Sequence, residues 1–240
     1  MLSVLAKFGE GDRRAYPDLD RRTSFVTALA LSLLKRHDAA VVHFRLALRD
    51  DPDPERRARA ARAAAEELRT AGRSFEALLA ARQARAIAPI GRATVRAAIL
   101  ETEILAELGL AERALATAAE ALASIPEPGP DSDRLLELAA TAAVESGRPE
   151  AADAALDAIQ RRPGLGARAK RLSADLMRRT GRPADALRVL DALTPEEIVA
   201  AGFDPVALAR LKSTLAFAAG DAMRAAREIE SLPPEAEKKP

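Results

Sequence analysis

Few residues in this chain have the types and spacing for chemistry. Histidine occurs twice, as His37 and His43. Six positions along a helix turn a side chain through about 600°, so the two rings would not share a face. The i and i+4 pair that grips a metal is missing. Cysteine is absent, which excludes a thiolate metal site and a disulfide framework. No serine, histidine and acid stand in a pattern that suggests a nucleophile with its base. The "GLG" at 164–166 follows no strand pattern, so it lacks the strand–turn–helix context of a dinucleotide site. Both histidines read as structural residues. The expectation is a protein that is not an enzyme and uses no cofactor and no metal.

Charge and composition narrow the partners. The chain has 37 basic and 36 acidic residues, a net of +1, where a duplex-binding protein needs a basic excess against phosphates. Single-stranded nucleic acid is held largely by aromatic stacking, and Tyr16 is the only tyrosine in a chain without tryptophan. Arginine supplies 31 of the 37 basic residues and alanine 57 of all 240. That bias fits a GC-rich bacterial genome, with the arginines on solvated helix faces. The opening "MLSVLAKFGEGDRRAYPDLD" lacks the charged start and long apolar stretch of a secretory signal. No apolar run reaches the roughly 18–20 residues of a membrane span. The expected partner is another protein rather than nucleic acid or a membrane interior, and the expected compartment is the cytoplasm.

The elements that would position any site are legible as a repeat. "SGRPEAADAALDAI" at 146–159 returns as "TGRPADALRVLDAL" at 180–193. Taking the glycine as anchor, similar turns stand at Lys35, Gly72, Gly109, Gly147, Gly181 and Gly220, spaced 37, 37, 38, 34 and 39 residues apart. Five residues after each anchor is alanine: Ala40, Ala77, Ala114, Ala152, Ala186 and Ala225. Nine after stand Phe44, Ala81, Ala118, Leu156, Leu190 and Ile229. Seven before stand small residues, Ala28, Ala65, Thr102, Ala140, Ala174 and Ser213. Prolines follow the second half of each unit at Pro52, Pro89, Pro126, Pro163, Pro195 and Pro233.

Each feature has a physical reading. Glycine takes the left-handed conformation that ends a helix and reverses the chain. Proline two residues later suits the first position of a new helix. Glu150 and Asp185 then meet the positive helix end. Facing small residues let two helices approach closely, and the later proline stops the second helix. Alanine, leucine, arginine and glutamate favour helix. The sequence predicts an all-α protein of about twelve antiparallel helices.

This set of small residue, turn glycine, alanine, apolar residue and terminal proline resembles the tetratricopeptide repeat (TPR) family, in divergent form, with a different α-α solenoid as the alternative. The resemblance implies an α-α superhelix, a TPR-like solenoid of six helix hairpins over residues 21–232. Residues 1–20 would form an N-terminal cap or extension, with Met1, Leu2, Val4, Leu5 and Phe8 covering the first hairpin. Residues 233–240 would be a disordered tail. The family's first helices line a concave groove that receives a peptide or helix of a partner. Carried over, this places Arg59, Arg62, Glu66, Arg96, Glu103, Arg134, Glu137, Thr141, Arg168, Arg171 and Asp175 on the groove. The implied role is a non-catalytic adaptor or scaffold. The alternative is a ligand- or peptide-sensing regulatory module acting on a separate effector. The family's asparagine-based carboxylate clamp is not available to a chain without asparagine.

Overall fold

The computed structural model describes residues 17–49, 51–125, 129–162, 165–200 and 202–230. Thirteen helices and no strand occur among them. They are α1 (Pro17–Leu33), α2 (His37–Leu48), α3 (Pro54–Thr70), α4 (Ser74–Ile87), α5 (Arg92–Glu107), α6 (Ala111–Ala123) and α7 (Pro130–Glu145). After them come α8 (Pro149–Gln160), α9 (Gly166–Arg179), α10 (Pro183–Asp191), α11 (Pro195–Ala200), α12 (Pro205–Ala218) and α13 (Ala222–Glu230). Most of the proposed cap, the whole proposed tail, and Pro126, Pro163 and Pro233 lie outside the described residues. Residues 17–20, assigned to the cap from sequence, belong to α1.

The six anchors share one geometry. All take positive φ, from +56° at Lys35 to +86° at Gly220. The next residue donates its N–H to the carbonyl four before the anchor at 2.8–3.0 Å, as in Arg73 to Leu68 and Arg182 to Met177. The anchor N–H bonds the carbonyl three before it. These two bonds are the Schellman helix ending. The residue after the anchor then accepts from the alanine five after it, as Arg73 does from Ala77 at 2.9 Å. One residue closes a helix and opens the next, and three residues separate the paired helices in every hairpin.

The first five second helices begin without a side-chain cap from residues such as Arg36, Arg73 and Arg182, while Asp221 caps α13 by accepting from the Arg224 N–H at 2.9 Å. An acid in the first turn (Asp38, Glu76, Glu112, Glu150, Asp185) stands against the positive helix end instead. The repeat alanines form the seams: Ala40, Ala77, Ala114, Ala152 and Ala186 are fully buried, as are Ala28, Ala65, Thr102 and Ala140 across from them.

Two expectations are corrected. Ile229, placed nine after Gly220, is largely exposed, since no described helix follows α13 to cover it. Pro195 does not simply end the fifth hairpin; it sits inside a capping box that starts α11, a helix the sequence reading omitted. The Thr194 N–H donates to Glu197 Oε2 at 3.0 Å, and the Glu197 N–H donates to Thr194 Oγ1 at 3.2 Å. The Lys170 ammonium at 2.6 Å, and then the Thr194 N–H, hold the Glu197 carboxyl below its usual range. Gly202 ends α11 at φ +69°, and Asp204 caps α12 ahead of Pro205. This insertion fills the longest interval between anchors.

Contacts divide the chain into two compact units, residues 1–138 and 139–240, with the division inside α7. Unit 1 packs small side chains, with Ala61, Ala84 and Ala97 in one cluster and Ala28, Leu31, Ala40, Phe44 and Ala64 in another. Unit 2 packs Leu187, Leu190, Leu193, Leu208 and Leu215 around Ala174, Ala186 and Ala216. No helix among the described residues is long and apolar enough to cross a membrane.

Candidate interaction surface

Among the described residues, one serine, one carboxylate and one histidine come together. Ser32 Oγ donates to Glu67 Oε1 at 2.6 Å, and His37 Nδ1 lies 2.7 Å from Glu67 Oε2. A hydrolytic relay needs the imidazole between hydroxyl and carboxylate. Here the carboxylate stands between the other two, so the three do not form that relay, and Glu67 of α3 ties Ser32 of α1 to His37 of α2. Among the described residues no three potential ligands gather to hold a metal.

The first helices α3, α5, α7 and α9 carry the predicted surface residues, in two separate sets. Unit 1 holds Arg59, Arg62, Glu66, Arg96, Glu103, Arg134 and Glu137; unit 2 holds Thr141, Arg168, Arg171 and Asp175. In unit 1 the centre is Glu103, which is only 18% exposed and accepts from Arg69 Nη1 and Arg134 Nη2, each at 2.7 Å. Arg69 also reaches Glu107 at 2.5 Å. Glu103 thereby ties α3, α5 and α7 together. Arg134 also lies 3.6 Å from Glu137. Arg62 pairs with Glu66 one turn along, and Arg59 stands 3.8 Å from Glu55. Arg92 and Arg96 share the single carboxylate of Asp131, at 3.2 and 3.6 Å.

In unit 2, Asp175 binds Arg178 and Arg179 on its own helix. Arg171 lies 4.9 Å over the ring of Phe203, a cation–π contact, and 3.5 Å from the Gly202 carbonyl. It holds the segment that follows α11. Arg171 is therefore committed within the chain, and reversing its charge would disturb that segment as well as any partner.

Sequence reasoning missed Arg69, Arg92 and Phe203. It also missed Glu101, a buried carboxylate that accepts from Arg82 at 2.9 Å and Arg85 at 3.1 Å. Opposite charges about one repeat apart, such as Arg69 with Glu103 and Arg73 with Asp38, were the available signal. A further regularity is plain once the turns are aligned. Thirteen residues before the anchor stand Arg22, Arg59, Arg96, Arg134 and Arg168, each on its first helix and each exposed.

No family model and no curated protein matches the sequence. Solved structures do match. A tetratricopeptide repeat protein from Parabacteroides merdae aligns at a TM-score of 0.75 with 18% identity, over 92% of this chain and 81% of its own. PilW, a type IV pilus biogenesis factor, aligns at 0.66 with 18% identity, over 87% and 90%. A Rap protein complexed with competence and sporulation factor aligns at 0.56 with 16% identity, over 88% and 63%. Six Schellman-closed hairpins with buried small-residue seams account for these likenesses, and the chain has a divergent tetratricopeptide-repeat-like fold.

Proposed function

We propose that this protein is a non-catalytic interaction module, an adaptor or scaffold, that receives a peptide or helical segment of another protein on the exposed face of its first helices. The observation that carries this reading is the row of exposed arginines Arg22, Arg59, Arg96 and Arg134, at one repeat position on the successive first helices of unit 1. The sixth hairpin has Ala207 at this station, but helix formation needs no charge at a fixed place in the others, and exposed ion pairs add little stability. Arginine does recur at the energetic centres of interfaces and binds carboxylates through two parallel hydrogen bonds.

A photo-crosslinking amino acid at position 96, on the first-helix face, should trap a partner in native cells. The same group at position 79, exposed on α4, should not. Trapping at 79 and not at 96 would move the binding surface to the second helices and refute the reading. The second reading, a sensing module for a separate effector, draws support from the likeness to the Rap protein bound to its factor. It uses the same face and predicts that the trapped molecule is a diffusible ligand rather than a protein.

A further inference from the structure

On the first-helix side of unit 1, two hollows adjoin because Arg59 lines both. The larger, about 280 Å³, is bounded by Phe25 and Val26 of α1, Ala47 of α2 and Ala60 of α3, with Arg22, Asp51, Arg56 and Arg59 at its edge. Asp51 is occupied: it accepts from the Asp53 N–H at 2.9 Å and lies 3.3 Å from Arg56. The smaller, about 90 Å³, lies between α3 and α5 and is lined by Arg59, Arg62, Arg92 and Arg96 with the single acid Glu55. Neither volume reaches the roughly 300–1,000 Å³ of an enclosing small-molecule site. The larger suits one apolar side chain, and the smaller is a surface on which charges rest.

The arginines around the smaller hollow have donors to spare. Four guanidiniums carry five N–H groups each and face three carboxylates, Glu55, Glu66 and Asp131. Arg92 is 71% exposed and occupies the first position of α5, where the positive helix end disfavours a cation. Helix stability therefore does not explain its presence.

We infer that this surface takes an acidic protein segment bearing one apolar side chain. The apolar group seats between Phe25 and Ala60, and neighbouring carboxylates rest on Arg59, Arg62, Arg92 and Arg96. The inference rests on the interaction reading above and names the chemistry of its partner. A nucleic acid would satisfy the arginines too. It would leave the apolar hollow empty.

The test is fluorescence anisotropy with a labelled peptide of about ten residues, glutamate and aspartate around one central leucine. It should bind at least about tenfold tighter than the same peptide with lysine for every acid, and weaken as salt rises. Serine in place of leucine should cost about tenfold. Arg59→Glu with Arg96→Glu should abolish binding, and Arg59→Gln with Arg96→Gln should weaken it about tenfold. Arg113→Glu, a single charge reversal at an exposed position of α6, should leave it unaltered. Equal losses from the groove and α6 variants, or tighter binding of a single-stranded oligonucleotide, would overturn the inference. So would a basic or neutral segment trapped by the cross-linker at position 96, and that result would leave the interaction reading standing.

Discussion

Nine residues beyond the turn, unit 1 places Ala81 and Ala118 after Phe44 of the first hairpin, while unit 2 places Leu156 and Leu190 ahead of the exposed Ile229; the other five are buried. The anchors of unit 1 are spaced 37 residues apart, and those after Gly147 by 34 and 39. Alanine seams bring helices close and leave little room for a change of register. Unit 2 has larger aliphatic side chains, and Ile198 and Phe203 beside the inserted α11 pack onto the same leucine cluster. Several ion pairs of unit 1 run from hairpin to hairpin, as in Arg69–Glu103 and Arg85–Glu120, beside pairs within one helix such as Arg62–Glu66. In unit 2, Asp175 and Asp185 pair within their own helices or the adjoining turn, and Asp191 is an acid that reaches another hairpin, through Lys212 and Arg224. The same hairpin can thus be held by regular close approach or by filling an irregular gap.

A reciprocal swap is the strongest way to break this contrast. Leu190→Ala should cost about 2–5 kcal/mol by opening a cavity, and Ala81→Leu about 1–3 kcal/mol by overpacking. Both are read from chemical denaturation, and a tolerated Ala81→Leu would show that the unit 1 seam is not tight. The alanine five beyond the turn is common to both units. Ala77→Arg and Ala186→Arg should therefore each cost about 2–4 kcal/mol, against about 0.5 kcal/mol or less at exposed Ala184. Unequal losses at Ala77 and Ala186 would mean that the two units do not share one register.

A smaller effect belongs to the one anchor that is not glycine. Lys35 holds φ +56°, which strains a residue with a Cβ. Lys35→Gly should raise stability by about 0.5–1 kcal/mol, after allowance for the freedom glycine regains on unfolding. A drop in melting temperature would contradict this. The smallest effect is electrostatic. Burial pushes the Asp191 carboxyl up, but hydrogen bonds from Arg224 and Lys212 outweigh it and hold the group below its ordinary range. A lowered folded pKa gives stability above the unfolded value of about 3.9 that is lost as the pH falls. Melting followed from pH 6 to pH 3 should show a shallower acid decline in Asp191→Asn than in the parent.

The hairpin register was readable because a glycine turn and a seam alanine have no close substitutes. Left-handed backbone and close helix approach admit few residue types, so the chain repeats them. The capping box at Thr194–Glu197 was equally local, yet it hid behind a proline that also reads as a stop. The candidate residues fall on first helices because the turn fixes their phase. Their partners were not legible, since a long arginine reaches acids on its own helix or on the next. Arg171 lying on Phe203 depends on a ring brought in by the inserted helix, which no repeat spacing encodes.

The turn inside each hairpin holds three residues in all six hairpins, from 34–36 to 219–221, while the joints between hairpins run from 88–91 to the stretch at 192–204 that contains α11. Because one residue there ends one helix and begins the next, an added residue would break two hydrogen-bond systems together. Growth and loss of length are confined to the other joint. The hairpin is thus the indivisible module of this chain, and the joints between hairpins are the places where a tag, a loop or a whole additional hairpin can be spliced in.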